Sequence, residues 1–130
     1  MSIHVVRLGS TRVPDEGVRL GTVRRPPRGV SKTDFARQNW YDVWFPNLAP
    51  SVETLKLGLA AETPAKWASF VRRYRAEMAA PGPRHDIAAL AGLSHSATFS
   101  VGCYCENEER CHRSILRELL RSAGAAIADD

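Results

Sequence analysis

The segment from Ala97 to Ser122 constrains the fold most, because its hydrophobic period changes from two residues to about 3.6 within a few positions. Its first half alternates as a half-buried strand does, and the alternation places Cys103 and Cys105 on the apolar side. From Cys111 onward, apolar residues recur at helical spacing. The segment therefore predicts a strand followed by a helix that packs on the same sheet.

All three cysteines lie at the corner between this strand and this helix. On the helical wheel, His112 lies near the centre of the apolar stripe, while Cys111 and Arg113 lie at its edges. We therefore expect His112 to be buried, to have a hydrogen-bond partner, and to point toward the strand end that carries Cys103 and Cys105. Thiols, an imidazole and a guanidinium are predicted to converge there.

The rest of the chain predicts an α/β fold with a short, mostly parallel sheet and helices on its faces, a Rossmann-like three-layer arrangement. Strands are predicted over 3–8 and 18–23, and a strand or loop edge over 39–45. Helices are predicted over 32–38, 51–59, 64–80 and 84–93, with Ser31, Ser51 and Thr63 as caps. Residues 1–124 should form a single domain, and 125–130 an acidic, disordered tail.

Composition narrows location and partners. No apolar run approaches the roughly 20 residues of a membrane span, so we expect no membrane partner. The start lacks a secretory signal, so we expect a cytoplasmic protein with reduced thiols. We expect it to be a monomer or a homodimer. Residues 1–37 hold eight of the eighteen Lys and Arg but three of the fourteen acids. This excess of basic residues favours an anionic partner, which is either a small ligand or a nucleic acid. A nucleic acid would contact the basic N-terminal third together with Lys66, Arg73 and Arg75. The alternative is that the basic residues form a solvated surface that binds nothing.

Four blocks of residues, in this order, resemble the YeaO-like proteins of the domain-of-unknown-function 488 family. They are Arg24-x3-Arg28-Gly29-Val30-Ser31-Lys32, Trp44-x3-Leu48-Ala49-Pro50-Ser51, Trp67-x2-Phe70-x2-Arg73-Tyr74-Arg75-x-Glu77 and Cys111-His112-Arg113-x2-Leu116. The resemblance covers roughly residues 3 to 120 and implies no activity, because none is established for the family. The chain departs from it at Val23 and Pro26, where YeaO-like sequences usually have an acid and an aromatic residue.

A metal site at the cysteine corner is one interpretation, with Cys103, Cys105, Cys111 and His112 as a Cys₃His set. Two features oppose it. Neighbouring residues such as Cys111 and His112 leave a helix about 100° apart, and Cys-x-Cys is not the usual zinc-knuckle spacing. We therefore expect no metal and no other cofactor.

The second interpretation is that a cysteine thiol acts as a nucleophile or in redox chemistry. Cys105, Cys111 and His112 are then the candidate catalytic residues, although the sequence does not decide whether the protein is an enzyme. A cysteine beside a helix N-terminus, a histidine and an arginine is expected to have a lowered pKa and to be partly thiolate near neutral pH. The alternative is that all three cysteines are small buried hydrophobic residues.

The candidate ligand site is expected at the carboxyl end of the last strand, where open α/β sheets bind ligands. Arg24, Arg28 and Arg113 are predicted to hold a small phosphate- or nucleotide-like anion, with Trp44 and Tyr74 lining the wall.

Overall fold

Four short strands form an all-parallel sheet in the order β1-β4-β2-β3 in the computed structural model, which describes residues 1–128. The strands are β1 (Ile3–Arg7), β2 (Val18–Gly21), β3 (Val43–Trp44) and β4 (Phe99–Cys103). In the register of the sheet, Phe99 of β4 pairs with Ile3 of β1 on one side and with Val18 of β2 on the other. Because the strands are parallel, their carboxyl ends meet at one edge.

Four helices complete a single compact α/β domain, which confirms the predicted fold class. They are α1 (Val52–Leu59), α2 (Pro64–Met78), α3 (Pro81–Leu93) and α4 (His112–Ser122). The predicted caps of α1 and α2 are confirmed, because the hydroxyls of Ser51 and Thr63 each accept a hydrogen bond from a backbone N–H three residues later. No helix within residues 1–128 is long and apolar enough to cross a membrane.

The main core lies where α2, α3 and α4 cover one face of β1 and β4. It is built from the following buried side chains: Ile3, Val5, Leu48, Phe70, Tyr74, Met78, Ile87, Leu90, Phe99, Val101, Ile115, Leu116 and Leu120. All five residues of β4 are buried, because the strand is central and both of its faces are covered. The prediction of a half-buried strand is therefore wrong, and Cys105 lies two residues beyond the strand end.

A buried ion pair covers the opposite face of the sheet. The Arg19 side chain is fully buried and its guanidinium donates to both carboxylate oxygens of Glu16, at 2.7 and 2.9 Å. The remaining guanidinium nitrogen donates to the carbonyl oxygens of Ser10 and Asn39 at 3.0 and 2.8 Å. Arg19 thereby ties two loops to β2.

Three local predictions are corrected. The segment 32–38 contains only a 3₁₀ turn, Lys32–Asp34, and Ser31 contacts the Thr33 hydroxyl instead of capping the backbone. Helix α3 begins at Pro81 rather than near residue 84, since proline is accepted in a first helical turn. In the expected disordered tail, Ile127 instead forms a β-bridge with Ile3; residues 129–130 lie outside the described residues.

Candidate functional site

A cavity of about 730 Å³ opens at the carboxyl edge of the sheet, where β1, β2 and β4 end. This volume is in the range of small-molecule sites. Its wall combines cationic, apolar and sulfur-bearing residues: Arg7, Leu8, Gly9, Ser10, Val23, Arg24, Arg25, Pro26, Pro27, Arg28, Trp40, Pro50, Leu55, Leu59, Cys103, Tyr104, Cys105 and His112. Among these lining residues of the described chain, four are arginines and none is acidic.

The four arginines differ in how far they are engaged. The Arg24 guanidinium donates to the carbonyl oxygens of Pro46, Ala49 and Pro50 at 3.0 to 3.2 Å, and Arg7 donates to the Tyr104 carbonyl at 3.3 Å. The other two arginines, Arg25 and Arg28, have exposed side chains. Within residues 1–128, no hydrogen bond or ion pair engages their guanidinium groups.

Three of the predicted ligand-binding residues do not line the cavity. Tyr74 is fully buried and donates its hydroxyl to the Leu48 carbonyl at 2.7 Å, and Trp44 donates its indole N–H to the Val23 carbonyl at 2.8 Å. Arg113 is 4% exposed, and its guanidinium donates to the Cys105 carbonyl at 2.7 Å. The expectation that Arg113 shares a cavity with Arg24 and Arg28 is thus corrected.

Trp40 and Tyr104 provide the aromatic surface of the cavity, and neither was predicted from sequence. Their rings meet edge to face, with centroids 5.9 Å apart. Tyr104 donates its hydroxyl to the Arg25 carbonyl at 2.8 Å, which holds the Arg25–Arg28 loop against the cavity. Tyr104 directly follows β4, and this position at the carboxyl end of a strand is the signal from which it could have been predicted.

Cys103, Cys111 and His112 form a buried cluster at the cavity floor, called here the Cys/His centre. The Cys103 and Cys111 sulfur atoms are joined as a disulfide in the structure, unlike the reduced thiols expected from the sequence, and both lie with a ring nitrogen of His112 within 4.8 Å of one another. Cys105 does not belong to this cluster and is the free cysteine. Of the four residues that the sequence placed at this corner, the structure brings Cys103, Cys111 and His112 together.

The backbone at Cys111 explains why neighbouring side chains converge. Cys111 has φ −133° and ψ 151°, so it is extended and serves as the N-cap residue of α4 rather than as its first helical residue. The expected 100° divergence from His112 applies only between two helical residues and is wrong here. The sulfur of Cys111 and the ring nitrogen of His112 can therefore face the same cluster.

The predicted burial of His112 is confirmed. The residue is 6% exposed, Nε2 lies 2.7 Å from the Thr22 carbonyl oxygen, and Nδ1 lies 3.8 Å from the Cys111 sulfur. A carbonyl only accepts, so Nε2 carries the hydrogen and Nδ1 is left with its lone pair toward the sulfur. Burial lowers the pKa of His112 to about 4, and the positive charge of Arg113 acts in the same direction.

Cys105 is half-buried on the cavity wall, and its thiol does not have the lowered pKa expected from sequence. Burial raises the pKa of Cys105, and the positive charges of Arg113 and Arg7 offset this effect only in part. The charges that were predicted to favour thiolate are present, but desolvation outweighs them.

Most of the resembling blocks meet around the loop 46–51. The three carbonyl contacts of Arg24 hold this loop from one side, and the Tyr74 hydroxyl holds Leu48 from another. The Glu77 carboxylate accepts hydrogen bonds from the backbone N–H and the hydroxyl of Ser51, at 2.8 and 2.7 Å. Arg24, Tyr74 and Glu77 therefore support the cavity wall at Pro50.

Fold and site together define a small parallel α/β protein with a ligand-sized, arginine-lined cavity above a Cys/His centre. The sequence matches the family model DUF488-N3a, described as the active DUF488-N3 subclade, over residues 3–124. The chain therefore belongs to the DUF488 family, as its resembling blocks predicted. No curated protein and no solved structure matches it.

Proposed function

We propose that the cavity binds a small phosphate- or nucleotide-like anion, with the free thiol of Cys105 facing the bound ligand. The observation that carries this proposal is the pair of unengaged guanidinium groups, Arg25 and Arg28, on a cavity whose lining residues include no acid. Two cations three residues apart on a proline-stiffened loop are suited to the oxygens of a phosphate. The ring of Trp40 and the apolar wall suit the base of a nucleotide.

A small ligand is favoured over nucleic acid because much of the basic surface is already paired within the protein. In the N-terminal third, Arg12 pairs with Asp42 at 3.0 Å, and Arg19 is buried with Glu16. On the helical face, Arg75 pairs with Glu118 at 2.6 Å. Internal pairing of this kind reduces the positive potential available to a polyanion.

Replacing Arg25 and Arg28 together by glutamine is expected to weaken binding of inorganic pyrophosphate by about 100-fold or more, since charge-assisted hydrogen bonds contribute about 1.5–3 kcal/mol each. Both residues are exposed, so the melting temperature should remain unchanged. Calorimetric titration with pyrophosphate, ADP and adenosine tests this, with the exposed Arg72→Gln variant of α2 as the control. Equal affinity in the double variant and the wild type would contradict the proposal.

Alkylation of Cys105 tests whether the thiol faces the ligand. Because its pKa is raised, we expect iodoacetamide to modify Cys105 more slowly than free cysteine at pH 7, and faster as the pH rises toward 9 and above. Bound pyrophosphate or ADP should slow this reaction further by covering the thiol. Peptide mass mapping identifies the modified cysteine, and a rate that saturating ligand leaves unchanged would place the ligand away from Cys105.

A further inference from the structure

We propose that the Cys/His centre binds one thiophilic divalent metal ion, of which Zn²⁺ is the model case, through Cys103 Sγ, Cys111 Sγ and His112 Nδ1. This inference goes beyond anion binding and stands independently of what occupies the cavity. The three potential ligand atoms lie within 4.8 Å of one another, and all three residues are buried. Two thiolates and an imidazole are a ligand set that zinc uses in proteins.

The backbone separation favours a metal between the sulfurs over a disulfide alone. The Cα atoms of Cys103 and Cys111 are 7.9 Å apart. Disulfides usually join Cα atoms about 4.4 to 6.8 Å apart, and wider pairs require the backbone to move. Two cysteines that ligate one metal ion can be further apart, because two metal–sulfur bonds of about 2.3 Å separate their sulfur atoms.

The histidine is already oriented as a ligand. Its Nε2–H donates to the Thr22 carbonyl at 2.7 Å, which fixes the ring and leaves Nδ1 unprotonated toward Cys111. A hydrogen bond from the second ring nitrogen to a backbone carbonyl is the usual support of a metal-bound histidine. The distance from Nδ1 to the Cys111 sulfur is 3.8 Å, close to the roughly 3.6 Å across a tetrahedral zinc ion.

The remaining coordination position would face the cavities. Cys103 and His112 line the large cavity, and Cys111 and His112 line an adjoining space of about 30 Å³. Three protein ligands with one open position are typical of metal sites that bind water or substrate. On binding, the two thiols release their protons to solvent, so the two thiolates balance the charge of the divalent ion beside buried Arg113.

Metal loading of the reduced full-length protein tests the inference. After reduction and chelator treatment, we expect one Zn²⁺ per chain by elemental analysis. With Co²⁺ we expect the intense visible bands of tetrahedral cobalt and a thiolate charge-transfer band whose intensity corresponds to two sulfur ligands. Cys103→Ser and Cys111→Ser should weaken zinc binding by at least about 100-fold, more than the loss of a supporting hydrogen bond does. The matched control Cys105→Ser should retain the wild-type affinity.

Three results would overturn the inference. One is a reduced chain with three alkylatable thiols that binds no Zn²⁺ or Co²⁺. Another is an equal loss of affinity in Cys105→Ser and Cys103→Ser. The third is a Cys103–Cys111 disulfide that persists in reductant. If the serine variants do not fold, the cobalt spectrum of the wild-type chain still decides the question, since a spectrum without thiolate charge transfer would also reject the site. If the metal-free protein still binds pyrophosphate, the metal site has failed while the proposed anion site stands.

Discussion

Replacing Glu16 with alanine is expected to lower the free energy of unfolding by about 3–5 kcal/mol, the range for breaking a buried ion pair from one side. The Arg19 and Glu16 side chains are 0% and 2% exposed, and they share two hydrogen bonds. Without the carboxylate, a guanidinium would stay buried without its counter-charge. Urea unfolding monitored by circular dichroism measures the change.

The pair Asp34 and Arg37 is the matched control, because it has the same sequence spacing but Arg37 is largely exposed. Asp34→Ala is therefore expected to change the free energy of unfolding by less than about 1 kcal/mol. If Glu16→Ala were as mild as this control, the ion pair would not hold the two loops on β2.

Burial favours a higher pKa for Glu16, but its hydrogen bonds and the charge of Arg19 together lower it. The contribution of the pair to stability is therefore lost only as the pH falls through this lowered value.

The metal-free, reduced protein is expected to lose stability when the pH falls from about 6.5 to about 4, by up to roughly 3 kcal/mol. The pKa of His112 is about 4 in the folded chain, below its ordinary 6.5. Between these values the unfolded chain binds a proton that the folded chain does not, so acid favours unfolding. The groups against the ring are the two sulfurs of the Cys/His centre, Arg113 and the edge of Tyr74, whose ring centroid is 5.4 Å away.

Chemical unfolding at a series of pH values, with chelator and reductant present, measures this dependence. His112→Gln should remove it, while replacement of the exposed His85 by glutamine should leave it intact. Glu16 and Glu77 have lowered pKa values and add their own losses at still lower pH, in the wild type and both variants alike. Stability of the wild type that is flat from pH 7 to pH 4.5 would contradict the buried, neutral state of His112.

The elements that the sequence predicted well are those with local signals. Ser51 and Thr63 mark the starts of α1 and α2 because each hydroxyl caps backbone N–H groups within its own turn. The burial of His112 followed from its place on the apolar stripe of α4, and a helix that packs on a sheet must bury that stripe.

The features that the sequence did not predict depend on contacts between distant segments. Arg19 is fully buried although arginine is normally exposed, because carbonyl oxygens from two loops and a carboxylate surround it. Arg113 and Tyr74 were assigned to the ligand, yet each engages a backbone carbonyl inside the protein. Residue type indicated hydrogen-bonding capacity in these cases, but only the fold determines whether the partner is a ligand or the chain itself.

A crystal structure of the wild-type protein soaked with pyrophosphate tests most directly whether Arg25, Arg28 and the Cys/His centre face one anion site. We predict phosphate oxygens within about 3.2 Å of the guanidinium nitrogens of Arg25 and Arg28, inside the cavity lined by Cys103, Cys105 and His112. Pyrophosphate found only at other surfaces, or a cavity that holds only water at saturating pyrophosphate, would contradict it.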